Sequence, residues 1–287
     1  MLLAGKRILV TGVLTESSIA FGAARTAQEQ GAEVVLTGFG RGLPVTRLVA
    51  KRLPAPCDVL PMDVTRPQEL EAVAAKLERR WGALDGVVHA AAYAPPSTLS
   101  GGFLTAGWED VAQAFHVSTY SFAAFGRVFG PLLARSDSGA LVGLDFDAER
   151  AWPGYDWMGV AKAGLESCCR YLARELGRDG TRVNLVAAGP LNTVAARSLD
   201  GFALSERLWP RLAPLGWDVT DAAPVGRVVC ALLSDWLPAM TGEVLHCDGG
   251  AHAIGAPAAE AAPALPAAAA AADGAMPVRD LSGAGVA

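Results

Sequence analysis

Seven short runs rich in valine, isoleucine and leucine, each followed by a longer segment of helical period, constrain the fold of this chain more than any other feature. The runs are Arg7–Thr11, Glu33–Thr37, Cys57–Met62, Gly86–Ala90, Ala140–Leu144, Arg182–Ala187 and Val244–His246. Helices are expected near 18–30, 43–52, 67–80, 106–134, 157–177 and 221–234. Strands that are apolar on both faces belong to a parallel sheet, and parallel neighbours need helical crossovers of one hand. The pattern therefore predicts an α/β fold, a doubly wound sheet of about seven strands in a single domain. With 287 residues, 52% of them hydrophobic, there is material for one large core over residues 1–255. From Ala256 to Ala287 the composition turns to alanine and proline, with too few large apolar groups to offset the entropy of ordering, and a disordered tail is expected.

Charge and cysteine usage remove several function classes. A net charge of −5 without a Lys/Arg cluster offers no field for a nucleic-acid backbone. Cys57, Cys168, Cys169, Cys230 and Cys247 are odd in number and lack paired C-x-x-C spacing, so reduced, mostly buried thiols are expected. His89, His116, His246 and His252 are scattered, with no metal-ligand spacing, so no metal is expected. The amino terminus reaches Lys6 without an apolar stretch fit for a signal peptide or membrane span, and the expectation is a cytoplasmic protein with no membrane partner.

Chemistry is expected where strands meet helices. The first strand runs into Thr11-Gly12-Val13-Leu14-Thr15-Glu16-Ser17-Ser18-Ile19, where backbone N–H groups and a helix N-terminus suit a dinucleotide pyrophosphate. The usual run of three glycines is absent, and Ser17 or Ser18 equally suits a plain helix N-cap. Asp63, after the third strand, suits an adenine amino group or a cap for the helix near Pro67. Tyr155 and Lys162, seven residues apart, fall on one face of a helix starting near Tyr155. A phenol beside an ammonium can hydrogen-bond a substrate carbonyl, and the ammonium can hold a ribose while lowering the cost of a phenolate.

The Tyr-x6-Lys spacing, in the string GLDFDAERAWPGYDWMGVAKAGLES, resembles the enoyl-acyl-carrier-protein reductase branch of the short-chain dehydrogenases, and its mycobacterial members in particular. GKRILVTG, TESSIAF, LDGVVHA, NLVAAGP and DGGAH extend the likeness over most of residues 3–254. The resemblance implies a Rossmann-type domain, NADH in preference to NADPH, and an enoyl thioester on acyl-carrier protein or CoA, reduced in fatty-acid biosynthesis by a homotetramer. It assigns Gly12, Ser18, Ile19, Phe39, Asp63, Val64, Ala91, Ala92, Lys162, Leu191 and Thr193 to the cofactor. Tyr155, Lys162 and Phe146 become the catalytic group, with Tyr93, Phe146, Met158 and Tyr155 against the substrate.

This chain departs from the family pattern in three places. His89-Ala90-Ala91-Ala92-Tyr93 alters the motif after the fourth strand, Asn192 replaces a basic residue, and the loop between Thr193 and Trp217 is shorter. That loop, Val194–Gly216, carries Leu199, Phe202, Leu204, Leu208, Trp209 and Leu212, and its reduced wall predicts a preference for short to medium acyl chains. Two alternatives stay open: a carbonyl reductase, which would show Tyr-x3-Lys where Gly159 stands here, and a cofactor-sensing scaffold without turnover.

Overall fold

The computed structural model describes residues 1–197 and 201–256. The tail expected over 256–287, apart from Ala256, and Leu199 lie outside the described residues. Seven strands, β1 (Arg7–Val10), β2 (Glu33–Gly38), β3 (Val59–Pro61), β4 (Gly86–His89), β5 (Ala140–Asp145), β6 (Arg182–Ala188) and β7 (Val244–Cys247), form one sheet. Its order is β3-β2-β1-β4-β5-β6-β7, and every pairing is parallel. The helices are α1 (Ile19–Glu29), α2 (Gly42–Ala50), α3 (Pro67–Trp81), α4 (Trp108–Phe115), α5 (Ser121–Leu133), α6 (Asp156–Leu176), α7 (Val194–Arg197), α8 (Phe202–Leu212) and α9 (Ala223–Leu233). This is the Rossmann-type, single-domain α/β architecture expected from the strand pattern.

Alternation along the strands sorts side chains into two cores. Ile8, Val10, Val34, Leu36, Val88 and Val142 pack with Ala20, Ala24, Val225 and Val229 of α1 and α9. Leu9, Val35, Val87, Leu141, Val183 and Leu185 point the other way, against Leu70 and Leu77 of α3, Phe125 and Phe129 of α5 and Leu165 of α6. Each such side chain stabilises the fold by about 1.5–3 kcal/mol through removal from water, which is why both faces of the central strands read as unbroken apolar runs.

Two expected elements differ. The helix expected over 106–134 is α4 and α5 joined by a π-helical turn, His116–Tyr120. The stretch 194–216 read as a loop contains α7 and α8; Pro210 interrupts the helical pattern there, and its missing N–H falls in the last turn of α8, where the loss of one bond is tolerated. Among the described residues, no helix is long and apolar enough to cross a membrane. The five cysteines are free thiols; Cys169 and Cys230 are buried and the others half-buried. Burial pushes the thiols of Cys169 and Cys230 up to about 12 and that of Cys57 to about 11, so they stay protonated.

Candidate active site

In a doubly wound sheet a ligand crevice opens at the carboxyl ends of the strands where the chain reverses its direction of travel, here between β1 and β4. Gly12 leaves β1 at φ +83°, and a Cβ built on it would stand 2.1 Å from the Ala90 carbonyl oxygen, so only glycine permits this approach of the first turn to the end of β4. Ser18 caps α1: its hydroxyl accepts from the Phe21 N–H and donates to the Thr15 carbonyl at 2.7 Å. The capping reading of Ser18 therefore holds, at the positive dipole end of α1.

Phe39, just beyond β2, is 55% exposed at the same edge. Asp63 follows β3, but it is not the cap of α3, which is Arg66. Instead one Asp63 oxygen accepts from the Thr65 N–H at 2.9 Å and hydroxyl at 2.7 Å, while the Glu69 carboxylate reaches back to the Asp63 N–H at 2.8 Å. Three residues precede Pro67, so the chain needs a turn before helical φ/ψ begins, and the aspartate closes that turn. Val64 is buried beside it.

After β4, Ala91 is half-buried, Ala92 exposed and Tyr93 47% exposed. The π-helical turn fixes this segment: the Ser118 hydroxyl accepts from the Tyr93 N–H and donates to the Tyr93 carbonyl, both at 3.0 Å. Thr119 donates from the same turn to the Ala161 carbonyl at 2.7 Å, tying it to α6. An inserted residue in a helix re-aims side chains in this way and is common at functional sites. After β6, the Leu191 carbonyl accepts from the Thr193 N–H at 2.7 Å and Thr193 in turn caps the Ala196 N–H at 3.1 Å. Leu191 is buried, and Asn192 holds Arg197 through its side-chain oxygen at 2.6 Å.

The other end of the crevice is made by β5 and α6. Tyr155 is the residue immediately before α6 and not within it, in a tight turn where Gly154 has φ +73° and Asp156 φ +40°. The Asp156 carboxylate accepts from the Gly101 N–H at 2.6 Å, which holds this strained start in place. The Tyr155 ring meets Phe146 edge to face at 5.2 Å, and Phe146 meets Trp152 at 5.4 Å and Trp209 at 5.8 Å. Trp209 is 2% exposed and donates to the Asp248 carbonyl at 3.0 Å, so it is a foundation of this aromatic cluster and not a free wall of the loop. Met158 packs with Leu99, Ala161 and Tyr155 on the opposite side.

Lys162 is buried, and its ammonium donates to the Leu144 carbonyl at 2.7 Å. Asp145 lies 3.7 Å away, too far for a hydrogen bond, with both carboxylate oxygens buried and unpartnered among the described residues. Burial raises the Asp145 carboxyl to about 7 and lowers Lys162, with each charge opposing the shift of the other. Burial, then the Asp145 charge, raises Tyr155 well above the ordinary phenol range. The expectation of an eased phenolate is thus corrected: the Tyr155 hydroxyl is held protonated, as a donor.

Sequence reasoning did not single out Asp145, although an acid closing the apolar run ALVGLD is itself a signal of a buried charge. Nor are all the histidines scattered: His246 and His252 stack at 4.0 Å because the turn after β7 folds back on its own strand. Among the described residues no group of three or more His, Cys, Asp or Glu side chains is placed to hold a metal ion.

The model of one protein family, described as enoyl-(acyl carrier protein) reductase, matches residues 12–252. The chain belongs to the enoyl-acyl-carrier-protein reductase family. Named relatives agree with it. This reductase is 47% identical over 264 residues to the enoyl-[acyl-carrier-protein] reductase [NADH] of Mycolicibacterium smegmatis, covering 87% of this chain and 97% of the relative. It is 44% identical to the enzyme of that name from Mycobacterium avium over 87% and 97% of the two chains, and 39% identical to that of Aquifex aeolicus over 88% and 94%.

Proposed function

We propose that Tyr155, Lys162 and Phe146 carry the reduction of a trans-2-enoyl thioester, and that Gly12, Ser18, Ile19, Phe39, Asp63, Val64, Ala91, Ala92, Lys162, Leu191 and Thr193 hold the cofactor. The chain is an NADH-dependent enoyl-[acyl-carrier-protein] reductase of fatty-acid biosynthesis. The residues present fit a dinucleotide: the Gly12 approach to Ala90 and the capped N-terminus of α1 form a backbone cradle for a pyrophosphate. When bound, the reduced nicotinamide supplies a hydride to the substrate β-carbon.

The observation that carries the catalytic reading is a tyrosine at the mouth of α6, packed edge to face on Phe146 at 5.2 Å, with a buried ammonium seven residues on. As the β-carbon gains hydride, the double-bond electrons move to the thioester oxygen, and the enolate then collapses as the α-carbon takes a proton that comes from water. Tyr155 donates a hydrogen bond to that oxygen where negative charge develops. Phe146, braced by Trp152 and Trp209, fixes the tyrosine ring. Lys162 faces the ribose, and Tyr93 and Met158 flank the substrate.

NADH oxidation with crotonyl- or longer enoyl thioesters on CoA or acyl-carrier protein, against a simple ketone and a no-substrate control, tests the reading. Turnover of the ketone alone would favour a carbonyl reductase, and none with any substrate a scaffold. Specificity constants for NADH and NADPH test the cofactor preference, which Phe39 at the adenosine end supports and Arg41 opposes. A series of acyl lengths tests the proposed preference for short to medium chains, with Leu204, Leu208 and Leu212 half-buried on α8 as its wall. The cytoplasmic homotetramer is likewise a proposal; Trp108 on α4 and Tyr171 on α6, both largely exposed, support an assembly that light scattering would measure.

A further inference from the structure

We propose that Asp145 is the counter-ion that keeps the Lys162 ammonium charged in its buried seat, and so acts as the positioning residue for the cofactor's ribose; the ribose part rests on the function proposed above. β5 runs through the middle of the sheet, paired with β4 on one side and β6 on the other, and Asp145 is its last residue, in register with Ala187. The Asp145 side chain is fully buried; neither oxygen meets a partner at ordinary hydrogen-bond geometry among the described residues, and what favours its charged form is the Lys162 ammonium first and the adjacent Phe146 N–H second. An interior carboxylate without hydrogen bonds is strongly destabilising unless a cation faces it. An apolar side chain would serve the packing of this strand better, so the acid is explained by its charge.

The groups around the pair leave Lys162 in that role. From β4, His89 presents Nε2 to the Ser121 hydroxyl at 2.7 Å, and burial, with the nearby Lys162 charge, pushes it down to about 3, so it is neutral. From the start of α6, Tyr155 is held protonated, and from within α6 the Cys169 thiol is pushed up to about 12. Glu166, one turn beyond Lys162, adds negative charge toward Asp145 and has Arg170 as its own nearby cation. Of these groups Lys162 is the cation nearest Asp145, at 3.7 Å.

An ammonium has three N–H donors. One is committed to the Leu144 carbonyl, and that carbonyl belongs to the residue preceding Asp145, so backbone and carboxylate of one strand end hold the lysine from the same side. The remaining donors are available to a ribose, and the carboxylate ensures that they are carried by a charged nitrogen. Neutralising Asp145 removes an attraction that opposes desolvation, so the Lys162 pKa falls and the ammonium is lost at a lower pH.

The test is the Lys162 side-chain NMR titration in cofactor-free protein, resolved from Lys6, Lys51 and Lys76 by comparison with Lys162→Met. In Asp145→Asn the Lys162 midpoint should fall by about one pH unit or more, a factor of ten in the ionisation constant, and Asp145→Glu, which keeps the charge, should restore it. The pH above which NADH affinity declines, read by fluorescence titration, should move down with it. An unchanged midpoint in Asp145→Asn, or a changed midpoint with an unmoved NADH profile, overturns the proposal. Should Asp145→Asn fail to fold, the reciprocal measurement decides: the Asp145 carboxyl midpoint must rise in Lys162→Met, and no rise refutes the pair. Failure of the wild-type protein to bind NADH would instead break the functional reading while leaving the cofactor-free titration intact.

Discussion

Around β1 to β3 the carboxyl edge of the sheet is built from backbone and short polar side chains, whereas around β5 and α6 it is built from buried ionisable groups and aromatic rings. At the first end Gly12, Ser18 and Asp63 act through turns and caps that close within a few residues. At the second, Asp145, Phe146, Tyr155, Lys162 and Trp209 come from three separate segments, and burial shifts the titration of Asp145, Tyr155 and Lys162. A phosphate cradle needs shape and a dipole, both of which survive exposure; control of developing charge needs a site where charge is expensive.

The largest expected effect sharpens this contrast. Tyr155→Phe should lower turnover by about 10²–10³, the usual cost of one donor to a developing oxyanion, while NADH affinity stays nearly unchanged. Lys162→Ala should do the reverse, chiefly weakening NADH binding. Cofactor titration beside steady-state kinetics separates the two, and a Tyr155→Phe variant that loses NADH would erase the division of labour.

Acid should next strike the buried end. The His89 pKa is depressed to about 3, so its contribution is fully present above the unfolded value near 6.5 and is lost as pH falls toward 3. Denaturant melts between pH 7 and 4 should lose on the order of a few kcal/mol, and His89→Asn should flatten that slope. An equally steep slope in the variant would place the acid sensitivity elsewhere.

At the backbone end, Gly12→Ala joins a positive φ to a clash with the Ala90 carbonyl. A loss of about 1–3 kcal/mol in stability is expected, with weaker NADH binding and little change in the pH profile of turnover. A variant that bound NADH normally would show that the turn is not the cradle. The smallest effect belongs to the tail: removing residues 257–287, rich in alanine and proline, should leave Tm and activity unchanged, and a clear drop in Tm would reveal a docked segment.

Periodicity and local chemistry in the chain were enough for the seven strands and most crossover helices, because parallel strands buried on both faces leave few choices of composition, but they left the cap of α1 open between Ser17 and Ser18. β3 came out shorter than its apolar run: Val59–Pro61 stands in register with β2, and Asp58 and Met62 add one backbone hydrogen bond each at its ends. α8 stayed hidden behind Pro210, and the break between α4 and α5 behind an unbroken helical pattern. The spacing of Tyr155 and Lys162 was legible, but their state was not. That the phenol stays protonated, that Asp145 faces the ammonium, and that Trp209 braces Phe146 all depend on desolvation and on contacts between segments far apart in the chain, quantities that exist only once the sheet has closed around them.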